Sequence, residues 1–76
     1  MKVITRFETG DDIHAITLAI RETVLAHLTN PHTKIMAHGR PHYYYRYEFQ
    51  NPFVAVTCVV REIKDGISVS AWEKQC

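Results

Sequence analysis

The most regular pattern in the chain is an alternation of aromatic and polar residues in the stretch HYYYRYEFQ, residues 42–50. A period of two is the spacing of a β-strand, whose successive side chains point to opposite faces. One face of this predicted strand carries aromatic rings: Tyr43, Tyr45, Tyr47 and Phe49. The other face carries mainly polar side chains: His42, Tyr44, Arg46, Glu48 and Gln50. The aromatic row is typical of a sheet face that packs beneath an apolar helix.

Apolar residues recur at helical spacing between about Asp12 and Thr29. At 100° per residue they form a narrow stripe, with His27 at its edge: Ile13, Ile16, Ile20, Val24 and Leu28. We expect this stripe to be the face that packs on the core. Leu18 and Leu25 lie well off it and form a minor strip, which overlaps another part of the core or contacts a partner. The stretch Thr9–Asp12 offers an N-cap, and Asn30-Pro31 ends the helix.

Three further strands are predicted from β-rich runs and turn residues. Lys2–Glu8 reads as a first strand, with Val3, Thr5 and Phe7 on one side and Ile4 on the other. Phe53–Ile63 and Ile67–Glu73 follow the aromatic strand, and residues 30–41 are predicted to be an irregular connection. Asn51-Pro52 and Asp65-Gly66 are the expected turns.

These two turns predict strand registers that agree with each other. A two-residue loop at Asp65-Gly66 pairs Val60 with Ala71, and a tight turn at Asn51-Pro52 pairs Tyr45 with Val60. Directly opposed residues share a face of the sheet. Both hairpins therefore put the same apolar set beside the aromatic row: Val54, Val56, Cys58, Val60, Ile67, Val69 and Ala71.

The predicted fold class is α+β, a two-layer sandwich in the order β-α-β-β-β. One helix packs on one face of an antiparallel sheet, and the other sheet face is open. The position of the first strand in the sheet is undetermined. With 76 residues, the chain is expected to be a single domain covering residues 1–76, and its core is small.

The charge is small overall but unevenly distributed. The formal net charge is +1, which gives no general attraction to nucleic acid or membrane. The interval between Glu22 and Glu48 nevertheless contains no acidic residue, while it carries four of the five histidines and three cations: Lys34, Arg40 and Arg46. A locally basic segment in a near-neutral chain indicates an oriented surface.

The two cysteines do not form a disulfide framework. Cys58 lies within an apolar strand pattern and is expected to be a buried thiol, and Cys76 is the last residue. The first twelve residues lack the apolar run of a signal peptide, and no segment has the length of a bilayer span. We therefore expect a cytoplasmic protein with no cofactor and no membrane association.

The polar side of the sheet is the predicted binding site. The expected registers put Arg46 beside Val59, Val59 beside Trp72, and Tyr44 beside Arg61. Trp, Tyr and Arg are enriched in interface hot spots, and the same residue types form platforms for stacked bases and phosphates. The alternative is a solvated face on which arginine stems shield Trp72. The predicted binding residues are Arg40, His42, Tyr44, Arg46, Arg61 and Trp72.

Metal binding and catalysis are weaker alternatives. His38 and His42 are four residues apart, but Gly39 and Pro41 oppose a helix there and no carboxylate or cysteine lies nearby in the sequence to complete a zinc site. No metal ligands are therefore assigned. A metal-independent ribonuclease needs an acid–base pair and a cation for the phosphate. If the protein were such a toxin, its catalytic residues would be His42, Tyr44, Arg46 and Glu48.

The first 28 residues resemble a group of short uncharacterised accessory proteins from lambda-like phages and enterobacterial prophages. The matching positions are Met1, Lys2, Ile4, Arg6, Ala19, Arg21, Glu22, Val24, His27 and Leu28. The resemblance implies a phage protein made in the host cytoplasm. It implies no activity, and no site residue is carried over from it.

The leading hypothesis from the sequence is a small non-enzymatic binding protein. It would use the open sheet face and the basic loop to dock on a host macromolecule, in the first place a host protein that it could inhibit. The alternative is binding of RNA or DNA by the same face, with or without cleavage. A homodimer is a third possibility, through the open sheet face or through Leu18 and Leu25.

Overall fold

A computed structural model describes residues 1–7, 12–31, 34–50 and 53–75. Five strands form one sheet in the order β1-β5-β4-β3-β2, and a single helix of the described chain packs across β3, β4 and β5. The elements are β1 (Lys2–Phe7), α1 (Ile13–Thr29), β2 (Lys34–Ala37), β3 (Arg40–Phe49), β4 (Val54–Ile63) and β5 (Gly66–Gln75). The predicted α+β class, with one helix on one sheet, is confirmed.

The sheet has one more strand than predicted and is mixed. β1 pairs with β5 in parallel, whereas the other three pairings are antiparallel. β2 falls within residues 30–41, where an irregular connection was predicted. It forms a hairpin with β3 through His38 and Gly39, whose φ angles are 53° and 74°. Two positive φ values in a two-residue loop are those of a type I′ turn, which matches the twist of the flanking strands.

Both predicted hairpin registers were displaced by two residues. Tyr45 lies opposite Cys58 rather than Val60, and Val60 lies opposite Val69 rather than Ala71. A shift of one residue would move every side chain to the other face, but a shift of two keeps each on its own face. The predicted core face is therefore confirmed, although the individual pairs were wrong. The Asn51-Pro52 turn lies outside the described residues.

Gly66 accounts for the displaced register of the second hairpin. The turn consists of Lys64 and Asp65, with Asp65 at a φ of 68°, and Gly66 is already the first residue of β5. The backbone of β1 passes close to Gly66, so that a Cβ there would overlap the Lys2 carbonyl group. The Lys2 N–H donates to the Asp65 carbonyl oxygen at 2.8 Å and starts the parallel pairing. Glycine is thus required for the approach of β1, not for the turn.

The buried face of α1 is rotated from the predicted stripe. Ile13 and Leu28, at the two ends of that stripe, are 51% and 55% exposed. Ile16 is buried, and Ile20 and Val24 pack at the edge of the core. Small and polar residues occupy the centre of the face: Ala15, Ala19, Thr23 and His27. Short side chains on this face of the helix leave room for the large tyrosines of β3. Residue volume, rather than hydrophobicity alone, therefore determines which side of α1 faces the sheet.

The start of the helix is fixed by a cap that also attaches it to the sheet. The Ala15 N–H donates to Asp12 Oδ1 at 2.9 Å, which confirms the predicted N-cap. The Asp12 N–H donates in turn to both carboxylate oxygens of Glu73 on β5, at 3.3 Å. At the other end, the Asn30 N–H donates to the Ala26 carbonyl oxygen at 2.7 Å.

A polar seam lies between α1 and the aromatic row. His27 Nδ1 and the Tyr45 hydroxyl share a hydrogen bond of 2.7 Å. The Tyr43 ring packs edge-on against the imidazole of His27, with the two ring centroids 4.6 Å apart. Thr23 Oγ1 donates to the Tyr47 hydroxyl at 3.1 Å. The tyrosine row therefore belongs to the core, as predicted, with its hydroxyl groups hydrogen-bonded rather than buried without partners. Burial lowers the pKa of His27 below 6.5, while the nearby Glu62 carboxylate opposes this effect.

This lowered pKa predicts that acid destabilises the fold. Below about pH 6.5 the unfolded chain takes up a proton at His27 more readily than the folded chain does. The contribution of neutral His27 to the free energy of unfolding is complete above that pH. It is lost as the pH falls through the lower pKa that His27 has in the folded state. The free energy of unfolding, measured by urea denaturation, should decrease between pH 7.5 and pH 5, and His27→Gln should reduce that decrease.

His14→Gln, on the exposed side of the same helix, is the matched control and should keep the wild-type pH dependence. Full acid sensitivity in the His27→Gln variant would show that the seam is not the source of the effect.

A second prediction concerns the close approach at Gly66. Gly66→Ala should lower the free energy of unfolding by more than about 2 kcal/mol, because β1 must move away from β5. Gly39→Ala is the control: its Cβ would meet no atom within 4 Å, and only its positive φ is unfavourable, at roughly 1 kcal/mol. Equal costs for the two variants in urea denaturation would contradict the proposed role of Gly66.

Candidate basic sheet face

The sheet face opposite α1, named here the outer face, is formed by every second side chain of the five strands. Its register rows run across the sheet, so that residues far apart in the sequence become neighbours. Three of these rows carry most of the polar and aromatic groups. They are Ile35–His42–Arg61–Ser68–Ile4, Tyr44–Val59–Ser70–Arg6 and Arg46–Thr57–Trp72.

Charge is strongly segregated onto the outer face. The whole chain has nine cationic and eight acidic residues, which nearly cancel. The described strands nevertheless place six exposed cations on this face, and Glu48 is the one acidic residue that they place there. The six cations are Lys2, Arg6, Arg40, Arg46, Arg61 and Lys74. A protein that is almost neutral overall therefore has one clearly basic side.

A shallow depression of about 120 Å³ lies within the outer face. Arg61 of β4 and Arg6 of β1 approach it from the two sides of β5. Ser68 and Ser70 of β5 lie between them and are half-buried. Its lining is completed by Val59 and His42, and no carboxylate is among the lining residues that the structure describes. His42 Nδ1 donates to the Arg40 carbonyl oxygen at 3.0 Å, which orients the imidazole ring.

Two exposed aromatic rings flank the depression. Tyr44 is 41% exposed and lies opposite Val59, which lines the depression. Trp72 is 38% exposed and lies in the next row, where Thr57 separates it from Arg46. The outer face thus presents guanidinium groups and aromatic rings side by side. This combination suits a ligand that has both negative charge and flat apolar surface.

The structure brings the predicted binding residues onto one face but changes their neighbours. Arg46 lies opposite Thr57 instead of Val59, and His42, rather than Tyr44, lies opposite Arg61. Trp72 lies opposite Thr57 rather than Val59. Each change follows from the two-residue displacement of the hairpins. Arg40 lies at the end of β3, next to the His38-Gly39 turn.

Sequence reasoning missed three residues of the depression: Arg6, Ser68 and Ser70. Alternation within Lys2–Phe7 separates Arg6 from Val3, Thr5 and Phe7, but it does not show which strand β1 joins. The parallel pairing with β5 places Arg6 beside Ser70. The short side chains of Ser68 and Ser70 carry no signal of their own, and their role follows only from the arginines on either side.

The candidate ribonuclease residues share a face but do not form a compact group. His42 and Glu48 are six residues apart along β3, which corresponds to about 20 Å in an extended strand. Glu48 is paired with Arg46 at 3.6 Å, and both side chains are largely exposed. An acid–base pair for one scissile phosphate requires both groups within hydrogen-bonding reach of it. Cys58 is buried as predicted, and burial raises the pKa of its thiol, so that it is a poor nucleophile.

In the described ranges, no three His, Cys, Asp or Glu side chains are grouped closely enough to hold a metal ion. No helix there has the length and apolar character of a membrane span. Comparison of the chain with protein-family models, curated proteins and solved structures finds no match.

Proposed function

We propose that this protein is a non-enzymatic binding protein that docks on single-stranded nucleic acid through its outer face. The observation that carries the proposal is the segregation of six cations around two exposed aromatic rings. A polyanion gains affinity from such a face because each neutralised phosphate releases counterions. The net charge of the whole chain is no obstacle, since most of its acidic groups lie elsewhere.

The shape of the face favours an unpaired strand. Base stacking on Tyr44 or Trp72 requires a base whose flat surface is accessible, which is a property of single strands and loops. The other common mode of nucleic-acid recognition places a helix in the major groove of a duplex, and the charges of α1 do not favour it. α1 carries one cation, Arg21, and the acidic Glu22 is next to it. The sheet, rather than the helix, is therefore the proposed contact surface.

Binding without cleavage is the form of the activity that we propose. A separation of about 20 Å along β3 lies between His42 and Glu48, the only imidazole and carboxylate that the described outer face carries. The cations that surround the depression contact phosphates but do not transfer protons at neutral pH. These residues therefore support binding to a nucleic-acid strand without its cleavage.

An acidic protein surface is the second candidate partner, and the exposed aliphatic side chains favour it. Ile4 and Ile35 are 41% and 49% exposed on the same face, and they end the row that contains His42 and Arg61. A host protein with an acidic, partly apolar patch would cover these groups together with Trp72. Inhibition of a host protein in this way agrees with the resemblance to phage accessory proteins.

The row Arg46–Thr57–Trp72 provides the test. The double variant Arg46→Ala/Trp72→Ala should bind a fluorescein-labelled single-stranded oligonucleotide about 10- to 100-fold more weakly at low salt, because it loses one phosphate contact and one stacking ring. Fluorescence anisotropy measures the affinity. The melting temperature should change little, since both side chains extend from the face opposite the core.

Arg21→Ala/Leu25→Ala is the matched control, because it removes an exposed cation and an exposed large apolar group from α1. It should leave oligonucleotide binding unchanged. If the wild-type protein shows no binding even at low salt, the nucleic-acid proposal is wrong. A pull-down from host lysate distinguishes the second candidate. Capture of the same protein by the wild type with and without nuclease, and its loss with the Arg46→Ala/Trp72→Ala variant, would support an acidic protein partner.

A further inference from the structure

We infer that the depression between β1 and β4 is a binding site for a single phosphate group. The inference rests on the proposed function and deepens it, because it assigns the phosphate of the nucleic acid to a particular set of residues. Tyr44 lies opposite Val59, which lines the depression, and it would then lie near the base attached to the phosphate. The depression and the ring together form a site for one nucleotide unit.

The chemistry of the lining matches a tetrahedral oxyanion. Arg6 and Arg61 each present a planar fork of N–H donors, which pairs with two phosphate oxygens at once. Ser68 and Ser70 add two hydroxyl donors from the strand that lies between the arginines. These donors line the depression from three neighbouring strands, which suits an ion whose oxygens accept hydrogen bonds from several directions. A neutral or cationic ligand would leave two guanidinium groups without a counter-charge.

The site is also held in place by the sheet. Every residue of its lining belongs to a paired strand: Arg6, His42, Val59, Arg61, Ser68 and Ser70. Neighbouring strands are about 4.8 Å apart and Arg6 is offset from Arg61 by two residues along the strands, so that the two arginines start about 12 Å from each other across β5. A site built on strands loses less conformational entropy on binding than a site built on loops. The two cations face no carboxylate among the described lining residues, so that a bound anion relieves their mutual repulsion.

The depression is large enough for one phosphate, and its cationic lining favours an oxyanion over a neutral nucleobase. A volume of about 120 Å³ accommodates several water molecules, which a compact oxyanion of five heavy atoms replaces. A purine or pyrimidine is flat and longer, and it gains more by stacking on an exposed ring. In this arrangement the depression binds the phosphate of a nucleotide, and the Tyr44 ring stacks on its base.

Titration of the ¹⁵N-labelled protein with inorganic phosphate tests the inference. The amide signals of Arg61, Ser68 and Ser70 should shift and saturate, and Arg6→Gln/Arg61→Gln should weaken the fitted affinity at least about tenfold, since two charged hydrogen-bonding partners are lost. The matched control is Lys2→Gln/Lys74→Gln, which removes the same charge from the same face but outside the depression. It should weaken phosphate binding by about twofold at most.

Equal losses in the two double variants, or small shifts that never saturate, would overturn the site. Two oligonucleotide arms identify the source of the phosphate. A preference for a 5′-phosphorylated oligonucleotide over its 5′-hydroxyl form, abolished in Arg6→Gln/Arg61→Gln, assigns a terminal phosphate. Equal affinity for the two forms, weakened in that variant beyond the control, assigns an internal one.

These outcomes separate the site from the proposed function. Saturable phosphate binding without oligonucleotide binding would retain the site and refute the nucleic-acid proposal. Oligonucleotide binding that both double variants weaken equally would retain the proposal and refute the site.

Discussion

The packing of one helix against one side of the sheet is the constraint on which the rest of the structure depends. α1 contacts β3, β4 and β5 through Ile16, a row of short side chains and His27, whose imidazole meets the Tyr45 hydroxyl. This contact takes up the apolar side of the sheet and the tyrosine row. Within the described chain, the outer face receives no comparable layer, and Tyr44 and Trp72 retain large exposed areas there. Tryptophan and arginine are enriched among the residues that contribute most to protein interfaces.

The same constraint explains the charge segregation. The strands alternate, so that each residue excluded from the core side is placed on the outer face. Apolar and aromatic residues occupy the core positions of β3, β4 and β5, and the intervening positions carry Arg46, Arg61 and Lys74. Acidic groups such as Glu62 and Glu73 fall on the helix side, where they bind Tyr43 and the start of α1. Alternation thus produces a basic face without a strongly basic sequence.

Much of this arrangement is present in the sequence, although not all of it. The period of two in residues 42–50 predicts both faces of β3, and the capping residues in the stretch Thr9–Asp12 predict the start of α1. The exact partners in the β4–β5 hairpin were wrong because Gly66 resembles a turn residue, whereas its actual role is to admit the backbone of Lys2. β2 was missed because a four-residue strand beside Pro41 has no periodicity of its own. Arg6 joined the candidate site only through the parallel pairing of β1 with β5, which depends on contacts between the two ends of the chain.

The most direct test of the central claim uses Trp72, the one tryptophan of the chain. Its emission reports contact at the outer face without any label or substitution. Titration with a single-stranded oligonucleotide at low salt should quench this emission in a saturable way, and added salt should restore it as counterions compete for the strand. Oligonucleotide binding, detected independently, that leaves the Trp72 emission unchanged would contradict the account, because the strand would then occupy another surface.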